Sequence, residues 1–127
     1  PDNLAGNTVY LDPVASANRW AEYLKNREKC DMVICLSHLG FKYRENKVSD
    51  ENLAKESEHI DLIIGGHTHT FLDAPVVYKN KLGNDVIVNQ VGWGGILLGR
   101  LDFEFQRNQS KKLGASRTVV IGKKTSE

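Results

Sequence analysis

Cysteine is scarce in this sequence, with only Cys30 and Cys35. Two residues cannot build a disulfide framework, and their spacing is not that of a CxxC pair, so a Cys-rich structural zinc is excluded too. Cys35 lies inside an apolar run and reads as a small core residue, with Cys30 just before that run. An excess of one charge is also lacking. Seventeen basic side chains against sixteen acidic ones leave a net charge of +1. The basic residues are scattered, so no nucleic-acid partner is expected; Lys111-Lys112 and Lys123-Lys124 read as solvated turn and tail. No apolar run approaches the roughly 20 residues of a membrane span. No signal peptide and no initiator Met open the chain, which starts at Pro1. With 40% hydrophobic and 26% charged residues, the composition is that of a soluble globular domain, or part of one.

What is present centres on Ile63-Ile64-Gly65-Gly66-His67-Thr68-His69-Thr70. An apolar run bounded by Gly reads as a buried strand. The glycines allow a sharp turn or a close approach. Two imidazoles then stand at the strand's carboxyl end, where open α/β sheets carry ligands. In extended backbone, positions i and i+2 point the same way, so His67 and His69 are expected to face one site, which suggests a metal. On His-x-His alone, a polar loop with two solvated histidines competes with that reading.

A second stretch, Asp31-Met32-Val33-Ile34-Cys35-Leu36-Ser37-His38, has the same form as Asp61 to His67: an Asp, an apolar strand, and a His just past its end. The segment between them is partly helical. The unit reads as strand–helix–strand, which makes the two strands parallel and places His38 on the same edge as His67 and His69. The fourth histidine, His59, sits on the helical connection and reads as surface.

In chain order, a polar lead-in carries a short strand over Thr8–Leu11. Asp12 caps a helix with Pro13 in its first position. Val14, Ala17, Ala21 and Leu24 form its buried stripe, and Trp20 beside it reads as core. The strand Met32–Leu36 comes next, apolar enough to be covered on both faces. Phe41 to Ser49 reads as an exposed loop. Ser49 or Asp50 caps a helix to about Ser57, with Leu53 and Ala54 inward. Beyond the histidine loop, Val76–Tyr78 and Val86–Val91 read as strands around a turn at Leu82–Asp85. Gly92-Trp93-Gly94-Gly95 is a glycine-rich joint without the context of a phosphate loop. Ile96 to Phe105 alternates as a strand, with Leu97, Gly99, Leu101, Phe103 and Phe105 on one side. Arg107 to Ser116 reads as a polar turn, Arg117–Ile121 as a last strand, and the remainder as a loose tail.

Imidazoles suit zinc, manganese, iron or nickel. Two such ions can clamp a phosphoryl group and lower the pKa of a bound water toward roughly 7. That chemistry also needs carboxylates. Asp31 and Asp61 lie at the wrong ends of their strands, and Asp73, four residues past His69, is at most an outer partner. The residues supply about half of a dinuclear site.

Ser37-His38-Leu39-Gly40, together with the later run Ile60-Asp61-Leu62-Ile63-Ile64-Gly65-Gly66-His67-Thr68-His69-Thr70-Phe71-Leu72, resembles the C-terminal half of calcineurin-like metallophosphoesterases, in their 5′-nucleotidase branch. Val88-Asn89-Gln90-Val91-Gly92 and Leu98-Gly99-Arg100-Leu101-Asp102 are similar to the next segments of that branch. The resemblance covers essentially the whole chain. It implies half of a four-layer α-β-β-α sandwich, a parallel βαβ unit with mostly antiparallel strands after it. It implies residues 1–127 as the C-terminal portion of a catalytic domain whose N-terminal half is absent. By position, His38 and His67 match ligands of one divalent ion and His69 a ligand of the other, with zinc, manganese or a similar metal as cofactor. The family's DxH, GDxxD and GNHE-type motifs do not occur here, so no catalytic residue is assigned and metal binding is expected to be partial. The substrate implied is a nucleotide or related phosphate ester, and the parent is expected to be periplasmic or extracellular.

Two other readings remain open. One is a binding or assembly module that dimerises through sheet surface a complete sandwich would cover. The other is a mononuclear three-histidine zinc site.

Overall fold

The computed structural model describes residues 6–105 and 111–122. Helix α1 spans Pro13–Asn26, and the Asp12 carboxylate caps it by accepting from the Ala15 N–H at 2.7 Å. Its inner stripe is the expected one: Ala21 is buried, and Val14, Ala17 and Leu24 pack on the core. Helix α2, Asp50–Glu56, starts at Ser49, whose hydroxyl accepts from the Asn52 N–H. Asp50 and Glu51 occupy its first turn, where the helix dipole favours negative charge. Leu53 and Ala54 from α2 join Ile63, Val86 and Val88 from the sheet in the core. Burying a side chain the size of Leu53 is worth about 1.5–3 kcal/mol.

Strands β1 (Ile34–Leu36), β2 (Leu62–Ile64), β3 (Val76–Lys79) and β4 (Asp85–Asn89) form one sheet in the order β1-β2-β4-β3. The β1–β2 and β2–β4 pairs are parallel; β3 is an antiparallel edge. Strands β5 (Leu97–Glu104) and β6 (Lys112–Val120) form a separate antiparallel ribbon. The mixed α/β class, with a parallel βαβ unit ahead of antiparallel pairing, is the expected one.

The register decides which side chains share a face. Cys35 pairs with Ile63, and Ile63 with Val88, all toward the helices. Ile34, Leu36, Leu62, Ile64 and Ile87 point the other way. The ribbon crosses part of that second face: Gly99 lies against Asn89 and Val91, and Lys111 bonds to Asp61 at 2.7 Å. Leu62 and Ile87 are buried there, but Ile34, Ile64 and Leu36 are 49%, 43% and 80% exposed. The expectation of a strand covered on both faces is therefore corrected for β1, which among the described residues has no neighbour beyond it in the sheet.

Other expectations are corrected as well. Residues 8–11 form no strand, and Val9, Tyr10 and Leu11 are exposed. Trp20 is not core; it lies 60% exposed, edge-on to Tyr23, because the stripe through Ala17, Ala21 and Leu24 turns it outward. Phe41, placed in an exposed loop, packs on the core. Phe105 is exposed just past the end of β5. Strand β6 begins at Lys112, so the polar turn is shorter than expected. What was expected of residues 1–5, 106–110 and 123–127 lies outside the described residues.

Candidate metal centre

The parallel strands β1, β2 and β4 end on one edge, and the loop after each delivers polar side chains to it. Ser37-His38 follows β1, Gly65 to Thr70 follows β2, and Gln90 to Trp93 follows β4. Backbone bonds extend the sheet into these loops: Ser37 N–H donates to Ile64, Gly65 N–H to Asn89 and Gly92 N–H to Thr70, each at 2.9 Å.

Strand order then sorts the histidines. β1 neighbours β2, and the rings of His38 and His67 stand 5.1 Å apart, edge to face. β4 neighbours β2 on the other side, and His69 stacks on Trp93 at 5.9 Å with 19° between planes. All three histidines are exposed on the rim. His59 is not on it; it lines a polar cavity with Asp61, Lys25 and Lys111 near the opposite ends of the strands.

The expectation that His67 and His69 point together because they are two residues apart rests on extended backbone. Neither is extended: His67 has φ 72° and His69 φ 51°. Left-handed backbone at a non-Gly residue costs about 1–2 kcal/mol each, and such strain concentrates at functional sites. Gln90 offsets it. Its side chain is buried, donates from Nε2 to the Gly66 carbonyl at 2.8 Å, and accepts through Oε1 from the Thr68 hydroxyl and the Thr70 N–H. At about 1 kcal/mol net per hydrogen bond, three such bonds match the strain of the two residues. The Thr68 hydroxyl also accepts from the Phe41 N–H at 2.9 Å, which joins the β2 loop to the segment after His38.

Beneath the His38 loop lies a second buried polar group. Asp50 is fully buried; its Oδ1 accepts from the Ser37 hydroxyl at 2.5 Å, and among the described residues its Oδ2 has no hydrogen-bond partner. Burial pushes the Asp50 carboxyl up, against the pull of the Ser37 hydroxyl and the nearby His38. The same surroundings push the Cys35 thiol up, burial first and the Asp50 charge second. Asp50 and Gln90 meet at Gly65, where a side chain would run into the Asp50 carboxylate and crowd the Gln90 amide. A side chain at Gly66 would press on the His38 Nδ1, though less tightly. Here the two glycines serve close approach.

Sequence reasoning missed both Asp50, taken as a helix start, and Gln90, taken as strand. For Gln90 a signal existed: a polar residue ending an apolar strand that points to the same edge.

The donor chemistry fits a borderline divalent ion as far as it goes. Two neutral-capable imidazoles adjoin in a cleft of about 420 Å³ that Tyr10 and Lys47 also line. It does not go to completion: no group of three His, Cys, Asp or Glu able to hold a metal assembles among the described residues. The three-histidine zinc site is not formed, since His69 faces Trp93. A larger concavity of about 570 Å³ is lined by α1 alone, around Trp20 and Tyr23, and holds no rim residue.

A parallel α/β sheet with imidazoles on its carboxyl edge defines the class, and residues 2–71 match the calcineurin-like phosphoesterase family. The chain belongs to that family, whose members generally use divalent metals. Within it, relatives are named as a nucleotide phosphoesterase, apyrases and 5′-nucleotidases. The chain is 37% identical over 113 residues to the trifunctional nucleotide phosphoesterase protein YfkN of Bacillus subtilis, covering 89% of this chain and 7% of that protein. It is 39% identical over 126 residues to an apyrase of Tabanus yao, covering 86% and 22%. The crystal structure of a 5′-nucleotidase precursor from Thermus thermophilus superposes with a TM-score of 0.76 at 30% identity, over 91% of this chain and 24% of that one. The chain thus spans a quarter or less of these relatives.

Proposed function

We propose that this chain is the histidine-bearing part of a metal-dependent phosphoester hydrolase acting on nucleoside 5′-monophosphates or related esters. The observation that carries the reading is the pairing of His38 with His67 across β1 and β2, beside a strained loop bearing His69. His38 and His67 would hold one divalent ion, zinc, manganese or similar, and His69 would serve a second. Bound divalent ions supply Lewis-acid polarisation of a phosphoryl group and a nucleophile at neutral pH. The chain's own part is to present the imidazoles. Ser37, held by Asp50, fixes the His38 loop, and Gln90 fixes the other two. Lys47 places a positive charge on the wall of the His38–His67 cleft, where an anionic phosphate would sit. Among the described residues no group of three His, Cys, Asp or Glu able to hold a metal assembles, so the isolated chain is expected to hydrolyse neither AMP nor p-nitrophenyl phosphate. An exported parent, periplasmic or extracellular, goes with this reading, since the Thermus thermophilus relative is described as a precursor.

The test is a graft. Residues 1–127 replace the matching segment of the Thermus thermophilus 5′-nucleotidase, and AMP hydrolysis is measured with added Mn²⁺. Metal-dependent turnover that His67→Ala abolishes is expected. A folded graft with no turnover contradicts the reading.

A second reading is favoured by one observation. The exposed apolar side chains of Ile34, Leu36 and Ile64 lie toward the edge of β1 that is unpaired among the described residues. Such a surface invites association of two copies of the chain. In that reading the isolated chain is an assembly module, and its metal chemistry is incidental.

A further inference from the structure

We infer that Gln90 is a positioning residue for both rim histidines of the β2 loop. The inference rests on the hydrolase reading for its metal readout and on geometry alone for its structural one. Three observations meet in this side chain. It is buried beneath the rim, at 2% exposure. Its amide uses both ends, donating to Gly66 just before His67 and accepting from Thr70 just after His69. Both left-handed histidines lie within the three residues it brackets.

An apolar side chain of equal length would fill the same space and satisfy none of these groups. The Gly66 carbonyl and the Thr70 N–H would then seek other partners, and the loop would relax toward ordinary backbone. In extended backbone the two imidazoles would swing to one side, leaving Trp93 without its stacking partner. Gln90 therefore selects the divided arrangement, with His67 toward His38 and His69 toward Trp93. Directing each imidazole to a separate position is what a two-ion site requires of one short loop.

The experiment compares Gln90→Met and Gln90→Glu with wild type in the full 127-residue chain. NOEs between the ring protons of His69 and Trp93 are recorded without metal, and Zn²⁺ affinity is measured by calorimetry. Wild type shows the NOEs; Gln90→Met loses them and binds Zn²⁺ about 10–100-fold more weakly, the usual loss when an outer-shell partner of a ligand is removed. Gln90→Glu keeps the acceptor for Thr70 and retains the NOEs, but loses the donor to Gly66 and weakens Zn²⁺ binding. Intact NOEs in folded Gln90→Met overturn the inference. If Gln90→Met does not fold, Gln90→Glu decides: intact NOEs together with unchanged Zn²⁺ affinity overturn it. Should wild type bind no Zn²⁺, the hydrolase reading fails, and the NOE comparison still judges Gln90.

Discussion

The Ser37 hydroxyl donates to Oδ1 of Asp50 at 2.5 Å, tying the loop that carries His38 to the first turn of α2. The same hydroxyl accepts from the Leu39 N–H at 3.2 Å, and the Asp50 N–H donates to the Gly40 carbonyl at 2.8 Å. His38 is thus flanked by backbone that a buried carboxylate holds. Ser37→Ala leaves that carboxylate without a donor, and an unsatisfied buried group costs about 1–3 kcal/mol. The urea midpoint is expected to fall with an unchanged slope. A midpoint equal to wild type contradicts the assignment.

Asp50 also makes a pH prediction. Burial raises its carboxyl, while Ser37 and His38 oppose the rise. For an acid raised in the folded state, the stabilising contribution is full below the unfolded pKa. It is lost as pH rises through the folded value. Asn at this position carries no titrating proton. The stability of Asp50→Asn relative to wild type is therefore expected to increase as pH rises above the ordinary Asp value of about 4. Thermal melts in matched buffers measure it; a difference that stays flat or shrinks contradicts the sign.

The fold was legible where one local rule sufficed. Asp12-Pro13 and the Ala17–Ala21–Leu24 spacing specify α1, and the twin Asp-to-His stretches specify the parallel pair. The site was legible only to the edge of the sheet. That β4 pairs with β2, which brings Gln90 and Trp93 under and beside the histidine loop, is a long-range fact no local pattern carries. The left-handed backbone at His67 and His69 was illegible for a similar reason. Neither residue prefers it, and the amide that sustains it lies about twenty positions away in the chain. The exposure of Leu36 was hidden because an apolar strand reads alike whether its second face is covered by its own chain or left open.

That open face makes its own prediction. Leu36 is 80% exposed, so Leu36→Glu removes little packing, and its stability should stay within about 0.5 kcal/mol of wild type. If two copies associate through this face, light scattering shows a concentration-dependent dimer in wild type and a monomer in Leu36→Glu. A monodisperse wild-type monomer at high concentration removes the assembly reading.

The account's central claim is that His38 and His67 act as one binding pair. The most direct measurement follows the imidazole Hε1 resonances of all four histidines during a Zn²⁺ titration of the chain. His38 and His67 are expected to respond together at one Zn²⁺ concentration, with His69 responding independently of them and His59 unmoved by that step. His38→Ala should abolish the response of His67. A His67 response that survives His38→Ala unchanged, or two responses at separate concentrations, contradicts the claim.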